Sequence, residues 1–115
     1  MIDAVIYENK KLIIDVGKEL YEKGLIVGGD GNLSIRLEHD RILCTPKGVC
    51  KGKLNPQQVI MVDMDGSVIE GDYQPSSELK MHLEVYKQRP DIEAVCHAHP
   101  PLATGFSCAG MALDK

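Results

Sequence analysis

Ala94-Val95-Cys96-His97-Ala98-His99-Pro100-Pro101 is a short apolar run that ends in two histidines one residue apart and is stopped by two prolines. Ala94-Val95-Cys96 has the length and composition of a buried strand. On a strand, residues i and i+2 point to the same face. His97 and His99 can therefore converge on one point, as two ligands of a borderline-soft metal such as zinc must. The prolines leave the pair near the strand end, where a pocket can open. The same spacing also fits two ordinary strand histidines at a polar edge, so the rest of the chain has to decide.

At 115 residues the chain is at most one domain of ordinary size. A hydrophobic content of 43% is enough for a core, and with no Trp, one Phe and four Tyr that core must be aliphatic. The net charge is −4 and no Lys/Arg cluster stands out, so nucleic-acid binding has no electrostatic footprint. An anionic ligand would have to be attracted locally. Cys44, Cys50, Cys96 and Cys108 form no C-x-x-C pair. With no secretory signal and no membrane-length apolar run, they read as reduced, small buried hydrophobes of a cytoplasmic protein. The ending Ala112-Leu113-Asp114-Lys115 follows an apolar stretch, and the expectation is that residues 1–115 are the N-terminal portion of one larger domain.

The spacing of Val5, Ile6, Leu12, Ile13, Val16 and Leu20 predicts an amphipathic helix over residues 3–23, closed by Gly24. Gly28-Gly29-Asp30-Gly31-Asn32 is a loop whose backbone turns tightly or approaches something closely. Leu33–Leu37 alternates apolar and polar residues, the pattern of a half-buried strand, and Arg41–Cys44 returns as its hairpin partner after a turn at Glu38-His39-Asp40. Val59–Asp63 and Ser67–Glu70 form a second hairpin around Asp65-Gly66. A second helix is predicted from Pro75 to about Gln88, capped by its serines, with Leu79, His82, Leu83 and Tyr86 on one face. The strand 94–99 follows, then a short helix from about Pro101 to Ala109. Hairpins covered by helices suggest an α/β layered domain.

Three polar loops, Gly28–Asn32, Thr45–Gly48 and Pro75–Glu78, carry backbone N–H groups able to cradle a phosphate. The alternative is three ordinary loops with a normal helix cap. Lys47 can add a point charge or simply be solvated. Glu78 reads as a carboxylate favoured by the helix dipole, or as a general acid/base close to a metal. His82, one turn further on the apolar face, reads as a buried structural histidine.

Gly31-Asn32-Leu33-Ser34-Ile35-Arg36, Thr45-Pro46-Lys47-Gly48, Pro75-Ser76-Ser77-Glu78 and His97-Ala98-His99-Pro100, in this order and spacing, resemble the class II aldolase/adducin family, and within it the L-fuculose-phosphate aldolases. The likeness runs from the first helix onward but spans only the N-terminal half of the family domain. It implies a three-layer αβα sandwich around a mostly antiparallel sheet, assembled as a homotetramer. It implies a catalytic Zn2+, or another divalent metal, held by three histidines with a glutamate as a further ligand. His97 and His99 match two of those histidines and Glu78 matches the glutamate; the third histidine would lie past Lys115. The family's phosphate-binding positions match Gly31, Asn32, Gly48, Ser76 and Ser77. Lys47 stands where the family usually carries Thr or Ser, and contacts phosphate by charge or points away.

The activity so implied is cleavage of a ketose 1-phosphate to dihydroxyacetone phosphate and an aldehyde, with Lewis-acid activation of the carbonyl in place of a lysine imine. Glu78 would move a proton at C3, and the phosphate cradle would turn binding energy into orientation. Ribulose-phosphate 4-epimerases and methylthioribulose-phosphate dehydratases of the same family, and non-catalytic adducin-like modules, are the rival readings. Retention of Glu78, His97 and His99 favours catalysis.

Overall fold

The structure, a computed structural model, describes residues 2–26 and 31–98. Helix α1 covers Ile2–Glu22. Strands β1 (Asn32–Arg36), β2 (Ile42–Cys44), β3 (Ile60–Val62) and β4 (Val68–Glu70) follow, then helix α2 (Leu79–Gln88) and strand β5 (Ala94–His97). All strands pair antiparallel in one sheet of order β4-β3-β2-β1-β5.

The two helices cover opposite faces of this sheet. Side chains alternate along each strand, so Leu33, Leu43 and Met61 meet Ile13 of α1 on one face. Ile42, Cys44, Ile60 and Val62 meet Leu79, Leu83 and Tyr86 of α2 on the other. This is the three-layer αβα arrangement expected. With both faces covered, the central strands have no side left for polar residues. That is why Ile42-Leu43-Cys44 and Ile60-Met61-Val62 are continuous apolar runs, every residue of which is buried.

Helix α1 packs on the short turn Lys51–Lys53. Gly17 makes this possible: a Cβ there would sit 2.4 Å from the Lys51 carbonyl oxygen. The Glu38–Asp40 turn joins β1 to β2, with His39 and Asp40 at φ 62 and 55. These are left-handed conformations that turn residues of this kind tolerate. Asp63 closes the second hairpin by accepting from the Asp65 and Ser67 N–H groups at 2.9 and 3.0 Å.

Two predicted boundaries shift. The second helix begins at Leu79, not Pro75. An antiparallel bridge between Pro46 and Pro75 holds the chain extended there, so helical geometry starts only once that contact is passed. The serines therefore do not cap α2: Glu78 occupies the cap position, and Ser76 Oγ accepts instead from the Glu78 N–H at 3.1 Å. Strand β5 ends at His97 rather than His99. His99 and the predicted helix 101–109 lie outside the described residues.

Candidate active site

The site grows out of the register between β1 and the edge strand β5. Asn32 pairs with His97, Leu33 with Cys96 and Ser34 with Val95. Asn32, Ser34 and Arg36 share the α2 face of β1, and the pairing places His97 on that face beside Asn32. Cys96 points to the α1 face, as expected from its alternation with His97. Gly31, at φ +82, leads into β1 against the His97 carbonyl: a Cβ there would come within 2.9 Å of Ile26 Cγ2 and 3.2 Å of His97 O. Only glycine fits that approach.

Two of the predicted loops are laced together. The Pro46–Pro75 bridge is extended by the Lys47 N–H, which donates to Gln74 O at 2.8 Å. Thr45 ties the first loop to β1: its N–H donates to Leu33 O at 3.0 Å, and its Oγ1 accepts from the Leu33 N–H at 3.1 Å. The 45–48 and 75–78 loops thus lie side by side next to the start of β1. Gly48 and Ser77 are exposed and Ser76 is half-buried. Lys47 is also exposed, its main chain held by the bond to Gln74.

At the meeting point stands Glu78. Its Oε1 accepts from Asn32 Nδ2 at 2.7 Å and lies 2.5 Å from His97 Nδ1. The side chains of His97 and Glu78 remain 25% and 41% exposed, so a ligand can reach them. Asn32 is buried, and among the described residues its Oδ1 has no hydrogen-bond partner. A carboxylate and an imidazole this close suit a borderline-soft divalent ion, which takes N and O donors together. Among the described residues no group of three His, Cys, Asp or Glu side chains is arranged to hold such an ion. A metal site built on Glu78 and His97 would need further donors from outside the described residues.

Beneath Glu78 lies a buried polar layer. Ser34 Oγ sits 2.6 Å from His82 Nδ1 and 2.7 Å from Tyr86 Oη. The Arg36 guanidinium donates to the Tyr86 and Pro90 carbonyl oxygens and stacks 4.7 Å over the Tyr86 ring. Burial pushes His82 down to about 4; the nearby His97 lowers it further, and Glu78 opposes with a smaller upward pull. Burial also pushes the Tyr86 hydroxyl up to about 12, against hydrogen bonding from Ser34 and the charge of Arg36.

The alternation in Leu33–Leu37 predicts a half-buried strand, and Asn32 is expected in the loop before it. In the structure Asn32 is the first residue of β1, and both Asn32 and Ser34 are buried under α2. Alternation reveals that a strand has two unlike faces, not what covers each. The available signal was the pair His82 and Tyr86 on the buried stripe of α2, since two polar-tipped side chains on an apolar stripe need partners. The sequence reading also missed the bond from Asn32 to Glu78.

A family model described as the class II aldolase and adducin N-terminal domain matches residues 11–115. The chain belongs to the class II aldolase and adducin family. It is 41% identical over 99 residues to a 3-oxo-tetronate 4-phosphate decarboxylase of Haemophilus influenzae, covering 86% of this chain and 47% of that protein. It is 38% identical over 99 residues to an L-fuculose phosphate aldolase of Methanocaldococcus jannaschii, covering 86% and 53%. The crystal structure of the L-fuculose-1-phosphate aldolase of Thermus thermophilus superimposes with a TM-score of 0.74 at 34% identity, over 92% of this chain and 50% of that one. The chain spans about half the length of the curated relatives it matches. Among the described residues no helix is long and apolar enough to cross a membrane.

Proposed function

We propose that this chain supplies one half of a divalent-metal-dependent lyase that breaks a carbon–carbon bond in a small phosphorylated sugar. The reading favoured is aldol cleavage of a ketose 1-phosphate of the L-fuculose 1-phosphate kind to dihydroxyacetone phosphate and an aldehyde. The observation that carries it is the junction of Glu78, His97 and Asn32 beside two laced loops that bring Gly48, Ser76 and Ser77 next to the start of β1. Glu78, His97 and His99 would hold the ion, Zn2+ by donor type, which when bound supplies Lewis acidity at the substrate carbonyl.

The remaining roles fall to the chain's own groups. Glu78, open to solvent on one side, moves a proton at C3 of the substrate. Asn32 donates to the same carboxylate and fixes which oxygen faces His97. Gly31, Asn32, Gly48, Ser76 and Ser77 offer donors to the phosphate, with Lys47 as a charge at the rim. Anchoring the unreactive phosphate end orients the bond to be broken. The assembly that goes with this reading is a homotetramer.

A second reading, decarboxylation, is favoured by the 41% identity to the Haemophilus influenzae protein. The two reactions share their chemistry. Loss of carbon dioxide from a 3-oxo-tetronate 4-phosphate leaves dihydroxyacetone phosphate, the fragment that aldol cleavage of a ketose 1-phosphate also leaves. They differ in the group released from the carbon next to the carbonyl.

The test uses full-length metal-loaded protein with each substrate, measuring dihydroxyacetone phosphate, aldehyde and carbon dioxide. Aldehyde with dihydroxyacetone phosphate supports the first reading, and carbon dioxide with it supports the second. Epimerised substrate with no fragment release would assign a 4-epimerase, and elimination of water a dehydratase. Full-length protein that takes up no divalent metal would assign a binding module, as in adducin-like heads.

A further inference from the structure

Three side chains on one face of β1 meet three positions one helical turn apart on α2. Asn32 bonds Glu78, Ser34 bonds both His82 and Tyr86, and Arg36 bonds the Tyr86 carbonyl. The spacings match: alternate strand residues advance about 6.6 Å, and helix residues four apart advance about 6.0 Å. A helix lying along β1 can therefore keep all three contacts at once, and a slip by one residue would break them.

The apolar contacts of α2, through Leu79, Leu83 and the Tyr86 ring, are non-directional and allow the helix to slide. Hydrogen bonds to a hydroxyl are directional and do not. Ser34 is the central rung. It is 1% exposed, as are His82 and Tyr86. Its Oγ is the partner of His82 Nδ1, while His82 Nε2 is buried without one, so among the described residues the imidazole is anchored through Ser34 alone.

We propose that Ser34 is a positioning residue: wedged between His82 and Tyr86, its hydroxyl sets the register of α2 on β1 and so holds the Glu78 carboxylate at Asn32 and His97. This rests on the reading of Glu78 as the carboxylate of the metal centre. Ser34 touches neither substrate nor metal; it acts through the helix.

The test uses the full-length protein. In the metal-free state, Ser34→Ala should speed hydrogen exchange of the amides at Leu79–His82 about tenfold, while the amides of β2 and β3 keep their rates. Cobalt(II), followed by its visible absorption, is the metal probe. Ser34→Ala should weaken its binding about tenfold, yet by less than about twofold when Glu78 is already replaced by Gln, because coupled residues are not additive. Tyr86→Phe removes one of the two bonds of that rung with the ring retained, and should repeat both patterns more weakly if Ser34→Ala folds poorly. Unchanged exchange at the start of α2, exchange that rises equally across the sheet, or an equal loss of cobalt affinity in both backgrounds would overturn the proposal. An unmodified protein that binds no cobalt, with the local exchange effect intact, would sink the metal reading and leave the positioning role standing.

Discussion

Acidification should unfasten α2 through His82, by an amount that the structure sets. His82 is 1% exposed and neutral, its titration pushed from 6.5 down to about 4 by burial first, then by His97, against a smaller opposing pull from Glu78. In the unfolded chain the same ring is solvated and titrates at its ordinary value. Above that value both states are neutral and the group contributes nothing to the pH dependence. As pH falls below it, the unfolded chain takes up a proton that the folded chain refuses, so stability falls with pH. The loss grows until the folded value is reached, where the full separation corresponds to about 3 kcal/mol. At pH 5 the same linkage gives about 2 kcal/mol.

Because the ring is buried, no solvent-screening discount applies. The assay is urea unfolding of metal-free full-length protein at pH 7.5 and pH 5, beside a His82→Gln variant that cannot titrate. The unmodified protein should lose about 2 kcal/mol more than the variant between the two pH values. The His82 ring signal, identified by its disappearance in the variant, should stay in its neutral position down to about pH 5. Equal pH slopes for the two proteins, or a ring that protonates near its ordinary value, would refute the claim that α2 buries a neutral imidazole.

Replacing Gly17 by Ala should lower stability by about 1–3 kcal/mol, because the new methyl would lie 2.4 Å from the Lys51 carbonyl oxygen; a thermal melt of the full-length variant checks this, and an unchanged midpoint would contradict it. His97→Ala should abolish retention of divalent metal, read by metal analysis after dialysis, while the fold survives because His97 is only partly buried at the edge of the sheet. At saturating metal, Glu78→Gln should still hold the ion, bound more weakly, but stop exchange of the C3 hydrogen of dihydroxyacetone phosphate with solvent deuterium; continued exchange would remove Glu78 from the proton-transfer role.

Most of the layer structure was legible in the sequence, because its causes are local. Ile42-Leu43-Cys44 and Val59–Val62 are apolar throughout because helices cover both faces, and the alternation within Leu33–Leu37 reports a strand with unlike faces. What was illegible has non-local causes. The late start of α2 depends on Pro75 meeting Pro46, 29 residues away in the chain. Burial of Asn32 and Ser34 depends on which half of the sheet α2 covers. The meeting of Glu78 with His97 depends on the β1–β5 register, which no motif spells out. Motif resemblance supplied the candidates for the site; contacts across the sheet supply the geometry of those that are described.

Helix α2 straddles a boundary in the sheet. Over β2 and β3 it packs on the apolar side chains Ile42, Cys44, Ile60 and Val62. Over β1 it meets Asn32, Ser34 and Arg36. Burying the second set contributes less to stability than burying aliphatic residues of the same volume, since each polar group gives up water for a partner of similar strength. Three buried atoms there, Asn32 Oδ1, Arg36 Nε and His82 Nε2, have no hydrogen-bond partner among the described residues. A helix needed only to cover the sheet would do better with Leu and Val at these positions. What the polar side gains is direction: each bond fixes a distance that apolar contact leaves loose. The residue at the N-terminal end of that side is Glu78, whose carboxylate is held against His97. The placement of the polar side on β1, where the sheet meets the edge strand bearing His97, is therefore most economically explained by the demand that Glu78 be aimed rather than that α2 be held.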